Sequence, residues 1–170
     1  MGVYISIALS DSLQPVISQN YGARNADRIV DFLKIAAKAI GTFSVMLIIT
    51  MILFPDLIVS VFLDADEVRT RDISIEFMTY LWPAFIFVGI NILLTVYFTS
   101  MQKPVESGAI AIARSLILPA AGLLLLPLFL GDVGMFVALP IAEAITFILA
   151  AYFFSKEKPR DIINAEMGSV

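Results

Sequence analysis

The stretch Phe77–Gln102, FMTYLWPAFIFVGINILLTVYFTSMQ, carries no charged side chain, and its reading decides the fold. A helix rises 1.5 Å per residue and the hydrocarbon core of a bilayer is about 30 Å thick, so roughly 20 apolar residues are needed to cross it. This stretch is long enough, with room for tilt. Four others resemble it: Met1–Ala23 holds only Asp11 as a charged residue, Ala39–Leu63 only Asp56, Ser107–Gly131 only Arg114 and Val133–Ser155 only Glu143. The predicted fold is therefore all-α, a polytopic transmembrane helix bundle of about five spans. The spans are expected near residues 1–20, 38–62, 77–101, 107–130 and 133–155, with a tail at 156–170.

Composition agrees, since 59% hydrophobic residues and a mean hydropathy of +0.92 lie far above a soluble domain. The absences narrow the chemistry. The chain has no cysteine and no histidine, which removes disulfides, thiolate or imidazole metal ligands and the commonest general base. It also lacks the G-x-S-x-G and H-E-x-x-H patterns. No enzyme activity, resident cofactor, metal site or nucleic-acid partner is expected, and membrane lipids are the predicted surroundings. No basic residue precedes the first apolar run, so that run is read as a span rather than a cleaved leader.

Sorting the 11 Lys and Arg residues by alternating side gives an orientation. One side holds Arg24, Arg28, Lys34, Lys38, Lys103, Arg114, Lys156, Lys158 and Arg160; the other holds Arg69 and Arg71. The first side is predicted to be cytoplasmic, with the carboxy terminus, and the segment around Asp64–Glu76 to face outward. Asn25 is placed to cap a helix whose Ile29, Phe32, Leu33 and Ala36 form an apolar stripe. That helix is expected at the inner interface before the chain turns into the second span. Asp64 and Glu67 have the spacing of a capping box, and Pro104 suits the first turn of the fourth span.

Ionisable groups at membrane depth are functional hypotheses by default. Glu143 lies ten residues beyond Val133, about 15 Å deep at 1.5 Å per residue and so near the midplane. Burial disfavours the charged form of a carboxyl, the property wanted in a proton carrier or a gate that charges when a cation arrives. Asn91, Thr95 and Thr99, spaced by four, fit either a cavity wall or an interhelical hydrogen bond. Ser10, Gln14 and Ser18 are also spaced by four, with Asp11 beside them and Pro15 weakening the backbone ladder. Such a polar stripe on a broken helix is how transporters line a binding site. Arg114, about 9 Å from the inner end of its span, is expected to snorkel to the interface. Pro83, Pro119, Pro127 and Pro140 are expected to kink or end spans, and Ala109/Ala113 and Ala138/Ala142 repeat a close-packing spacing.

The run Gln14-Pro-Val-Ile-Ser-Gln-Asn-Tyr-Gly-Ala-Arg-Asn25 resembles the signature that follows the eighth span of multidrug and toxic compound extrusion (MATE) transporters. Phe54-Pro55 and Phe62-Leu63-Asp64 resemble the end of span nine and its outer loop, Met101-Gln102-Lys103-Pro104 the end of span ten, and Ala113-Arg114-Ser115 with Pro119 span eleven. Gly131–Gly134 and Pro140-Ile-Ala-Glu143 resemble span twelve. The resemblance implies part of the second lobe of a twelve-helix, multi-pass cell-membrane protein with cytoplasmic termini. It implies a secondary transporter that exports organic, often cationic, drug-like compounds in antiport with sodium or protons. Glu143, Asn91 and Asp11 are then the cation-coupling candidates, although some subgroups carry an acid where Asn91 stands. Ser10, Gln14, Ser18 and Thr95 are the cavity-lining candidates, and Arg24 and Asn25 are implied at the inner gate and helix cap, with Arg114 structural. The opposing lobe has no counterpart here, so a missing amino-terminal lobe or second polypeptide is the expected partner, and the chain is expected to be a truncated fragment or half-transporter. The alternatives are a lipid-linked oligosaccharide flippase of similar architecture and a non-transporting membrane partner.

Overall fold

The computed structural model describes residues 2–63 and 67–167, all helix and short connection. The elements are α1 (Gly2–Gly22), α2 (Ala26–Leu53), α3 (Pro55–Ser60), α4 (Val68–Leu81) and α5 (Ala84–Ser100). After these come α6 (Pro104–Ile112), a π-helical turn (Ala113–Ile117), α7 (Leu118–Leu130), α8 (Asp132–Lys156) and α9 (Pro159–Met167).

The central helix is α5, the heart of the decisive uncharged stretch. Of its 17 residues, 11 are buried, because α1, α2, α6 and α8 all pack around it. By contrast α7 buries none, and Leu124, Leu128 and Phe129 stand 72–82% exposed. An apolar face that broad is intolerable in water and ordinary in lipid. Among the described residues three helical stretches are long and apolar enough to cross a membrane: Ala26–Leu53, Pro104–Leu130 and Asp132–Lys156. The bent pair Val68–Leu81 and Ala84–Ser100 makes a fourth if counted as one span. With 21 residues α1 has the length, but Ser6, Ser10, Asp11, Ser12 and Gln14 make it more polar than those spans.

Several local expectations change. No interfacial helix precedes the second span: α2 runs unbroken for 28 residues, about 42 Å at 1.5 Å per residue, because no proline interrupts it before Pro55. Of its predicted stripe Ile29, Leu33 and Ala36 are buried and Phe32 is half-buried, and Ile40 continues the buried line. Nor is α1 broken. It continues through Pro15, which removes only the hydrogen bond that its nitrogen would donate to the Asp11 carbonyl. The expected span 77–101 is interrupted at Trp82–Pro83, where the axis bends by 59°. Asp64 lies outside the described residues, and Glu67 is itself the residue flanking α4, with no side-chain cap. The tail is not free: α9 folds back so that Ile162 and Ile163 join a core with Tyr21, Ile29, Leu33, Tyr97 and Phe98.

Turn chemistry positions the ends. Arg24 (φ 54°) and Gln102 (φ 57°) both take the left-handed conformation that closes a helix. The next amide then reaches back five residues in each case, Asn25 to the Asn20 carbonyl at 2.8 Å and Lys103 to that of Phe98 at 2.9 Å. The loops holding Arg24, Lys103 and Lys158 therefore gather at one end of the bundle, joined by Arg160–Asp27 and Lys103–Glu157 ion pairs. At the opposite end Gly131, at φ 59°, turns α7 into α8. A β-carbon on Gly134 would sit 2.5 Å from the Leu126 backbone, so that hairpin closes tightly only because Gly134 has no side chain.

Candidate functional site

Three helices meet around one carboxylate. Glu143, close to halfway along α8, is 3% exposed. Arg114 Nε donates to Glu143 Oε1 at 2.9 Å and to Oε2 at 3.2 Å. From the middle of α5, Asn91 Nδ2 donates to Oε2 at 2.8 Å and to the Glu143 backbone carbonyl at 2.9 Å. A lone charge at the bilayer centre costs about 2.5–3.5 kcal/mol even on the mildest scales. Here the opposite charges cancel and the carboxylate's acceptors are met by directed donors, which is what lets both ions stay at depth.

Arg114 reaches this position through the π-helical turn. Pro119 has no N–H to offer the Ser115 carbonyl, and its ring would collide with that carbonyl in a regular α-helix. One extra residue in the turn relieves the conflict. Ser115 Oγ meanwhile donates to the Ala111 carbonyl at 2.6 Å. The inserted residue rotates the following faces by about 100°, one residue's share of a 3.6-residue turn. Arg114 therefore does not snorkel to the interface. It is only 22% exposed at its side chain and is turned into the bundle.

Beside the ion pair lies a cavity of about 230 Å³ bounded by Asp11 and Ile7 of α1, Thr95 of α5, and Arg114 and Ser115. Arg114 thus pairs with a buried carboxylate on one side and borders, on the other, a hollow whose acid is Asp11. Below it, Thr99 and Ser107 hydroxyls meet at 2.6 Å and Ser107 Oγ donates to the Thr95 carbonyl at 3.1 Å, clamping α5 to α6. On the α5 stripe, Asn91 and Thr99 make interhelical bonds and Thr95 borders the cavity.

The structure brings Glu143, Asn91 and Arg114 together directly, and Asp11 and Thr95 to the adjoining cavity. It does not bring Ser10, Gln14 and Ser18 there. A step of four residues drifts by about 40° around a helix, so the three spread over different surfaces. Ser10 is fully buried in helix packing, with no partner for its hydroxyl among the described residues. Gln14 is exposed, and Ser18 points toward the Ser100 carbonyl at 3.5 Å. Arg24 and Asn25 sit at the basic end, far along the chain path from the pair. There Asn25 Oδ1 accepts from the Arg28 amide at 3.2 Å as the predicted cap.

Sequence reasoning missed Ser107 and the junction at Glu157, where Lys103 Nζ meets Oε1 at 2.8 Å and the Tyr97 hydroxyl donates to the backbone carbonyl at 2.8 Å. The signal was available for the second, because Lys103 and Glu157 flank helix ends on the same side. A family model, MatE, matches residues 1–124, which span α1 through the first half of α7 and include Asp11, Asn91 and Arg114. No curated protein and no solved structure matches the chain.

Proposed function

The chain belongs to the MATE family of membrane transporters, and from that premise we propose that it forms one wall of a secondary antiporter exporting organic, often cationic compounds against sodium or protons. The observation that carries this reading is the Arg114–Glu143–Asn91 cluster, whose arginine also lines the Asp11 cavity. Coupling needs an element with two arrangements that ion binding biases. With Glu143 ionised, Arg114 is drawn to α8. A proton on Glu143 removes the attraction and leaves a half-buried guanidinium without its counter-ion, which then turns to the cavity and the Asp11 carboxylate. A cation held by Asp11 opposes that turn. The π-helical turn is the hinge, since moving one inserted residue along a helix re-aims its side chains with little other change.

We infer a cell-membrane location with the basic loops and carboxy terminus in the cytoplasm; with Arg114 turned into the bundle, eight of the remaining ten Lys and Arg fall on that side. Binding sites in such transporters lie between repeats, so the opposing wall comes from the family's other lobe. The flippase alternative asks for basic groups free to meet an anionic substrate at depth, whereas Arg114 already has its counter-ion. The test is efflux of a cationic dye from liposomes holding the chain assembled with an amino-terminal lobe. Arg114→Gln and Asp11→Asn should each lower efflux at least severalfold. Full efflux in both variants would remove the alternating pair from the mechanism.

A further inference from the structure

A groove of about 530 Å³ runs between α2 and α8 with α5 as its floor. Leu33 and Ala37 form one wall, Phe147, Ala151 and Phe154 the other, and Ile90 lies at the base. Its charged residues are Lys34 and Lys158, both belonging to the basic end. At that end the groove meets a second hollow of about 390 Å³, with which it shares Val30, Phe154 and Lys158 and which also includes Arg160 and Asp161.

The dimensions suit one occupant. From Phe147 to Ser155 the α8 wall rises about 12 Å at 1.5 Å per residue, most of the roughly 15 Å depth of a single leaflet. An acyl chain fills that length, and its headgroup emerges at the two lysines. Lys158 makes no ion pair among the described residues, and Lys34 has only the solvent-exposed Asp31 at 3.5 Å. Arg160 is engaged by Asp27, so it does not compete for the headgroup. We propose that this groove is a binding site for an anionic glycerophospholipid of the leaflet at the basic end, its chain between α2 and α8 and its phosphate between Lys34 and Lys158. This site is separate from the Arg114–Glu143 cluster and stands whether or not that cluster couples ions.

Native mass spectrometry of the purified chain in detergent, titrated with phosphatidylglycerol or phosphatidylcholine of the same acyl chains, tests it. Both lipids carry the phosphate, but only phosphatidylglycerol offers the two lysines a net negative charge, so it should be retained at least about tenfold better. The Lys34→Gln/Lys158→Gln double variant should bring the two lipids near parity, while Lys34→Arg/Lys158→Arg keeps the preference. Ala151→Trp, which fills the groove, should reduce binding of both lipids at unchanged helix content, and soluble glycerol phosphate should displace neither. Equal retention of the two lipids by the native chain, an unchanged preference in the glutamine variant, or displacement by glycerol phosphate would overturn the proposal. So would a dimer that Ala151→Trp dissolves, which would assign the groove to a second copy of the chain.

Discussion

Arg114 and Glu143 stand 29 residues apart on the two arms of one helical hairpin, and their side chains close to 2.9 Å at mid-helix. The π-helical turn and Gly134 are what allow this: the turn re-aims Arg114, and the glycine lets α8 lie against the Leu126 backbone.

The first prediction is energetic. Removing one partner of a buried pair leaves an uncompensated charge and costs about 3–5 kcal/mol, whereas removing both is far milder. Thermal unfolding in detergent should show Arg114→Gln and Glu143→Gln each strongly destabilised and the double variant more stable than either. Additive losses would mean that the two residues do not interact in the folded chain.

A second prediction separates two glycines. Gly134→Ala places a β-carbon against backbone atoms that cannot yield and should cost about 1–3 kcal/mol by overpacking. Gly108→Ala, in α6 with nothing within 4 Å, should be neutral or stabilising by up to about 1 kcal/mol. The same melting assay decides, and equal effects at the two positions would contradict the tight α7–α8 hairpin.

The bundle itself was legible because lipid imposes a length on apolar helices, and the uncharged runs around Asn91, Arg114 and Glu143 met it. The depth of Glu143 was legible for the same reason. What escaped was direction. A regular α-helical period cannot foresee the extra residue ahead of Pro119, so the sequence points Arg114 to the inner interface. Its helix begins with Pro104 in the first turn, as expected, and counting from there puts Arg114 about 15 Å in rather than about 9 Å. Pro15 misled in the opposite sense, because a proline whose missing bond frees one carbonyl need not break a helix held by packing against α5. At Glu157 the pairing with Lys103 was open to reading from two opposite charges at helix ends on one side, whereas the backbone carbonyl that receives Tyr97 left no mark in the sequence.

Topology gives a third prediction. The chain has no native cysteine, so single cysteines can be placed at Arg69 and Lys158, both exposed. An impermeant thiol reagent applied to intact cells should label position 69 and spare position 158 until the cells are opened. The reverse pattern would invert the orientation.

The central claim is that Glu143 couples ion movement to export, and the most direct measurement is the ion dependence of dye efflux from proteoliposomes bearing the chain with an amino-terminal lobe. Glu143→Gln keeps the shape and the Asn91 contact but removes the charge that proton binding would switch. Efflux per folded, incorporated protein should fall, and its response to an imposed pH or sodium gradient should flatten. A variant that keeps the native gradient dependence would contradict the account and leave Glu143 a packing residue.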